Sequence, residues 1–299
     1  MTRRPLLLAA LLALASTAGL AAEPAMPPAS MDELAIASHG ARLNGFIYRA
    51  AGTGAHPTVL FLHGYPGNER NLDLAQAVRR AGYNAIYIDY RGNWGSGGTF
   101  TPGNALEDVE SALAWARDPA NAAKFGIDPE RLSLVGHSFG GWLTLMTASR
   151  DPGLRCAVAM AAWNLGWAAD RFASHPDEEK SLRDYIAWTG EEGGPMRLDA
   201  DGVTQALKTH AADWNYLSHA AALKDRPLLL VAATRDTPDE GVALHAQLAQ
   251  AIRAAGGARV ETLVYDDDHP FSSHRLALGV ALVEWLRKER CDGAPAKVH

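Results

Sequence analysis

The 299-residue chain is predicted to fold as an α/β protein, with a mostly parallel central sheet of about eight strands flanked by helices. Three observations predict it. Short apolar runs alternate with segments of helical spacing between residues 57 and 288, the pattern of strand–helix crossovers. Gly-, Pro- and Asn-rich turns follow several of the apolar runs. Composition is that of a globular protein, 47% hydrophobic and 21% charged, with no repeat or low-complexity tract.

Taken in order, the chain opens with Arg3 and Arg4, an apolar run from Leu6 to Leu20, and small residues at Gly19, Ala21 and Ala22. Residues 1–22 therefore read as a signal peptide, and the protein as exported, periplasmic or extracellular. The run falls short of the roughly 20 residues that span a bilayer, so no stable membrane anchor is expected. Residues 23–33, with Pro24, Pro27 and Pro28, read as an unstructured leader, 34–290 as one domain, and 291–299 as a flexible tail. A net charge of −6 makes no electrostatic case for nucleic acid as a partner. Nothing in the chain speaks to its oligomeric state. The two cysteines, Cys156 in an apolar run and Cys291 in the tail, are not expected to pair. A bridge needs Cα atoms within about 7 Å, and a core strand rarely meets a tail so closely.

An opening hairpin is predicted from Leu34–Ser38 and Leu43–Ala50 around His39-Gly40-Ala41. Strands follow at 57–62, 83–90, 131–135, 154–162, 227–233 and 258–265, and helices at 69–81, 104–117, 139–149, 240–255 and 275–288. The interruption at 163–223, rich in Trp and Tyr, is read as a cap-like insertion over the carboxyl ends of the strands, where such sheets bind ligands. Trp163, Trp167 and Trp188 of this insertion, with Tyr65 of an earlier loop, are the candidate substrate contacts.

The chemistry lies in Gly136-His137-Ser138-Phe139-Gly140-Gly141, set between a strand and a helix. The pattern Gly-x-Ser-x-Gly in that context puts serine on a sharp turn above the sheet edge, with glycines where side chains would collide. Serine needs a base and the base an orienting acid, which follow in the chain order Ser, Asp, His. Asp236 follows one late strand and His269 the next. The backbone N–H groups of Phe139 and of Tyr65, in the loop His63-Gly64-Tyr65-Pro66-Gly67, are the candidate oxyanion donors.

Rival residues carry blander readings. Asp239 is read as the start of a helix, Asp266, Asp267 and Asp268 as a solvated loop, and His274 as the start of the last helix. His137 and His63 are read as structural. The stretch Asp89–Gly98 lacks the spacing of a nucleotide-binding loop and is read as a tight loop near the site. Three acids before His269 lack the partner histidines or cysteines of a metal site, so neither metal nor other cofactor is expected.

Together, His63-Gly64 with its Pro-Gly, the Tyr-Arg-Gly-x-x-Gly-Ser-Gly stretch, Gly-His-Ser-Phe-Gly-Gly and Asp268-His269-Pro-Phe resemble the prolyl oligopeptidase and dienelactone hydrolase branch of the α/β-hydrolases. The resemblance implies the α/β-hydrolase fold and the triad Ser138, Asp236 and His269, with Tyr65 and Phe139 at the oxyanion. Two departures stand out. Nothing in this chain could form the propeller that accompanies prolyl oligopeptidases, and serine replaces the cysteine of dienelactone hydrolases. The expected function is hydrolysis of a small-molecule ester through an acyl-enzyme on Ser138. A peptidase of short peptides, an acyltransferase and a non-catalytic binding protein on the same fold are the alternatives.

Overall fold

The structure, a computed structural model, describes residues 26–191, 193–236 and 241–293. The predicted signal peptide lies outside these residues, as does the rival acid Asp239. One eight-stranded sheet organises the chain, in the order β1-β2-β4-β3-β5-β6-β7-β8. Its strands are β1 (Ser30–Ser38), β2 (Ala41–Arg49), β3 (His56–Leu62), β4 (Asn84–Ile88), β5 (Ile127–His137), β6 (Cys156–Met160), β7 (Leu228–Ala233) and β8 (Val260–Tyr265). β1 and β2 form the predicted hairpin, β2 joins β4 antiparallel, and every other pairing is parallel. β1 begins at Ser30, four residues inside the segment expected to be an unstructured leader. Its burial alternates, so hydrogen bonding to β2 recruits polar residues that show no strand pattern by themselves.

The central strands are buried on both faces and read as unbroken apolar runs. Successive side chains of β3 enter different cores, Leu60 and Leu62 on one face and Val59 and Phe61 on the other. The sheet is flanked by α1 (Leu72–Arg80), α2 (Pro102–Arg117), α3 (Pro119–Phe125), α4 (Phe139–Arg150), α10 (Gly241–Ala254) and α11 (Arg275–Lys288). α3 was not anticipated, although Asp118 caps it through the N–H groups of Ala120 and Asn121, with Pro119 in its first turn. α4 is buried from Phe139 to Ala148, which explains its apolar character all round.

Between β6 and β7 the insertion holds α5 (Leu165–Arg171), α6 (Pro176–Thr189), α7 (Ala200–Thr209), α8 (Ala211–Trp214), a 3₁₀ turn at Tyr216–His219 and α9 (Ala220–Leu223). It is seated on the sheet layer by specific contacts. The Trp142 indole N–H of α4 donates to Trp214 O at 2.8 Å, and within the insertion α5 packs closely on α8, where a side chain on Gly166 would meet Ala211 O at 2.1 Å. No helix among the described residues is long and apolar enough to cross a membrane.

One expectation is overturned. Cys156 and Cys291 form a disulfide, with Cα atoms 5.8 Å apart. α11 follows β8 and returns along the sheet, so its end comes back to the edge where the parallel strands begin, and Cys156 is the first residue of β6. The start of the expected tail is held there too, because the Arg131 guanidinium donates to Asp292 O at 2.6 Å.

Candidate active site

Five parallel strands, β3, β5, β6, β7 and β8, bring the residues that follow them to one edge of the sheet. Tyr65, Ser138, Trp163, Asp236 and His269 all come after these strands, and all five line one cleft of about 740 Å³.

Ser138 precedes α4 with φ 57° and ψ −120°, a conformation that costs a non-glycine residue on the order of 1–3 kcal/mol. The surroundings hold it there. Its N–H donates to Met160 O at 2.9 Å, and its carbonyl accepts from Trp142 and Trp163, both at 3.1 Å. The flanking glycines are required by contact. A Cβ on Gly136 would lie 1.9 Å from Gly140 O, one on Gly140 would lie 2.0 Å from Leu62 O, and one on Gly64 would lie 3.0 Å from the Ser138 Cβ. Phe139 is the first residue of α4, so its N–H has no acceptor within the helix.

His269 accepts its orientation from two sides. Its Nδ1 lies 2.8 Å from Asp236 Oδ1, with Asp236 only 9% exposed. Its carbonyl lies 2.9 Å from His137 Nε2, so this nitrogen is the donor. Burial pushes His137 down to about 3, which keeps it neutral and keeps that donor in place. His137 is thus structural, as expected, but through a bond that its position in the motif did not disclose. His63 is likewise a buried structural residue, pushed down to about 4, with Nδ1 donating to Gly64 O at 2.7 Å and its ring 4.2 Å from that of Tyr90.

The glycine-rich stretch folds tightly beside the site. Arg91 donates from Nε and from its backbone N–H to the two oxygens of Asp108, both at 2.7 Å, and the Trp94 indole donates to Pro66 O at 2.9 Å. Of the acids before His269, Asp266 is exposed and pairs with Arg235 at 2.9 Å. Asp267 is different: it is fully buried and accepts from His274 Nδ1 at 2.8 Å. The expected solvated loop is therefore an organised one. Asp268 accepts from the Ser272 N–H at 2.8 Å.

Three of the four anticipated substrate contacts, Tyr65, Trp163 and Trp167, line the cleft. Trp188 does not; it is 59% exposed and stacks on Tyr185 outside the lining. The cleft wall from α6 comes instead from Asp177, Glu178, Ser181, Leu182 and Tyr185. Below them Thr189 is buried, donates to Ile186 O at 2.7 Å, and accepts the Tyr65 hydroxyl. Leu182, Tyr185, Ile186 and Thr189 are spaced i, i+3, i+4 and i+7, the one signal by which the inward face of α6 was readable. Arg171 was not anticipated either. It lies 4.8 Å over the Trp167 ring and donates to both oxygens of Glu178, at 2.8 and 3.1 Å.

A model of the alpha/beta hydrolase family matches residues 59–278. The chain belongs to the alpha/beta hydrolase family. Among curated proteins, this alpha/beta hydrolase is 33% identical over 114 residues to an uncharacterised 31.7 kDa protein of Escherichia coli, covering 36% of this chain and 38% of that one. It is 28% identical over 131 residues to Cutinase 2 of Thermobifida cellulosilytica, covering 42% and 48%. The matches thus span less than half of these relatives. Among solved structures it is similar to the Pyrococcus furiosus esterase Pf2001, with TM-score 0.66, 19% identity, and coverage of 87% of this chain and 91% of that one. A putative dienelactone hydrolase of Klebsiella pneumoniae (TM-score 0.60, 19% identity, 87% and 99% covered) shares the fold. So does an acylaminoacyl peptidase of Pyrococcus horikoshii (0.62, 14%, 91% and 43%). Both lie in the branch that the motifs resemble.

Proposed function

We propose that this alpha/beta hydrolase is an exported serine esterase acting on small-molecule esters. The observation that carries the reading is the joint placement of Ser138, His269 and Asp236 in one cleft, with His269 Nδ1 bound to Asp236 at 2.8 Å. That bond leaves Nε2 of a neutral imidazole as the acceptor, the form a general base needs. Ser138 Oγ attacks the ester carbonyl while His269 takes its proton, and the N–H groups of Tyr65 and Phe139 receive the oxyanion. The alcohol departs with the proton from His269, leaving an acyl group on Ser138. Water, deprotonated by the same imidazole, then releases the acid and restores the serine.

Similarity to proteins named cutinase and esterase favours an ester over a peptide bond. Export is supported by the signal-peptide pattern of residues 1–22 and by the disulfide, since such bonds persist mainly in oxidising compartments. Residues 34–290 form the hydrolase domain in this reading, with 163–223 as its cap.

The test is a fluorophosphonate label together with p-nitrophenyl esters and aminoacyl p-nitroanilides. Labelling and ester turnover that both vanish in Ser138→Ala, with the anilides untouched, are the expected outcome. Anilide cleavage at comparable rates would replace esterase with peptidase. Full turnover in Ser138→Ala would remove the assignment.

A further inference from the structure

The loop from His63 to Gly67, which carries the candidate oxyanion donor Tyr65, is held from two layers of the molecule. The sheet layer fixes its base. His63 Nδ1 donates to Gly64 O at 2.7 Å, the Tyr90 hydroxyl to His63 O at 3.0 Å, and the Trp94 indole to Pro66 O at 2.9 Å. Gly64 lies against the nucleophile, since a Cβ on it would be 3.0 Å from the Ser138 Cβ. The next N–H in the chain, that of Tyr65, has no acceptor among the described residues. The Tyr65 side chain reaches the insertion instead. Its ring meets Tyr185 of α6 edge-on at 5.8 Å, and its hydroxyl bonds Thr189, the last residue of the same helix.

The direction of that bond follows from its neighbours. Thr189 is buried, and its one hydroxyl proton goes to Ile186 O at 2.7 Å, an atom that can only accept. Tyr65 is therefore the donor, and burial pushes its hydroxyl well above the usual 10, so the proton stays in place. A hydroxyl committed in this way has no proton left for an oxyanion, and the backbone N–H is what Tyr65 can offer. We infer that Thr189 is a positioning residue: by accepting the Tyr65 hydroxyl it ties α6 to the oxyanion loop and aims the Tyr65 N–H at the substrate's carbonyl oxygen. This inference rests on the serine-esterase reading above and deepens it. The two residues stand 124 apart in sequence, so only the folded insertion brings them together. A donor of this kind acts at full strength only when held within about 0.5 Å of its productive place. Losing one outright costs about 10²- to 10³-fold in kcat, and a donor that is displaced but present costs less.

The experiment measures p-nitrophenyl butyrate turnover and inhibition by trifluoroacetophenone on the disulfide-bonded protein. Ser138 Oγ adds to the ketone carbonyl, its proton passes to His269, and the resulting hemiketal oxyanion needs the same donors as the transition state. Thr189→Val keeps the shape and removes the hydroxyl; it should lower kcat by about tenfold and weaken the ketone by a similar factor. KM should stay within about twofold, because the contact matters in the transition state and not in the ground state. Tyr65→Phe should match it, the double variant should be no worse than either, and Thr189→Ser should restore both readings. A lower melting temperature with kcat and ketone affinity unchanged would overturn the inference and leave Thr189 a purely structural residue. A rise in KM alone, additive losses in the double variant, or a Thr189→Ser as slow as Thr189→Val would overturn it too. Each of these outcomes leaves the esterase standing. Absence of Ser138-dependent turnover and of fluorophosphonate labelling in the wild type would instead overturn the esterase reading itself.

Discussion

Two histidine–aspartate pairs, their histidines five residues apart, have the same bond length. His269 Nδ1 meets Asp236 at 2.8 Å and His274 Nδ1 meets Asp267 at 2.8 Å, and the two imidazoles are 36% and 37% exposed. Judged by distance alone, either could serve as base and acid. They differ in what surrounds the acid and what faces the ring. Asp267 is fully buried and, besides His274, accepts from the N–H groups of Asp268 and Ser273 and from Arg235. Burial pushes its carboxyl up, but the bonds from His274 and from the Asp268 and Ser273 N–H groups outweigh that and hold it well below the usual 3.8. Asp267 thus fastens a loop, and His274 ends that loop at the start of α11. Asp236 is bound to one imidazole, and that imidazole shares a cleft with Ser138. A histidine–aspartate bond orients a ring in both cases. Only the neighbour of the ring's other nitrogen separates a base from a strut.

The largest expected effect tests the side of the comparison that carries the proposed chemistry. Ser138→Ala and His269→Ala should each lower kcat by on the order of 10⁴ to 10⁶, and the double variant should be little worse than either, because the pair acts as a unit. Additive losses in steady-state kinetics would mean that the two residues do not cooperate. Asp236→Asn, which reverses the tautomer that His269 presents, should cost on the order of 10⁴. A similar loss from Asp267→Asn would mean that the two pairs have been assigned the wrong way round.

A smaller effect comes from beneath the active imidazole. His137 holds the His269 carbonyl, so His137→Gln should lower kcat by about tenfold through misplacement of the base. Its pH signature has a defined sign. Folded His137 titrates near 3 rather than 6.5, so below pH 6.5 the unfolded chain binds a proton that the folded chain does not. Wild-type stability should therefore lose about 1.4 kcal/mol per pH unit from this group between roughly pH 6.5 and 3, a loss absent in the variant. Denaturant melts of the two proteins at pH 7, 6 and 5 should show their difference shifting toward the variant as the pH falls. A constant difference would mean that His137 is not held neutral by burial.

How much of this was legible in the sequence depended on whether the cause was local. The turn at Ser138 was readable because its glycines are dictated by atoms a few residues away, such as Gly140 O against Gly136, and by a strand already evident from its apolar run. Asp236 and His269 were readable because parallel strands end at one edge. The disulfide was not, since it depends on where α11 ends relative to the start of β6, a matter of three-dimensional direction and not of composition. Trp188 was misread because aromatic content says nothing of facing; the i, i+3, i+4, i+7 spacing of Leu182, Tyr185, Ile186 and Thr189 carried that information. The second pair was hidden by proximity: three consecutive acids look like solvated charge until the chain turns and buries the middle one.

That buried acid gives the smallest expected change in activity and a stability effect of the same sign as that of His137, at lower pH. Asp267→Asn and His274→Gln should keep kcat/KM within about threefold of wild type at temperatures where both are folded, because neither residue lines the cleft. Their effect belongs to stability. The carboxyl of Asp267 titrates lower when folded than its unfolded 3.8, so it contributes stability above that pH, and the contribution fades as the pH falls below about 4. Asp267→Asn should accordingly melt at a lower temperature than wild type from pH 5 upward, with the gap closing in stronger acid. The two groups then lower global stability in separate windows, His137 from about pH 6.5 downward and Asp267 only near 4, while the folded His137 stays neutral and keeps its bond to His269. Activity lost reversibly at pH 5 while Asp267 still stabilises the fold would place that loss at the His269 side. A melting temperature for Asp267→Asn equal to wild type at pH 7 would mean that the loop is held without its buried acid.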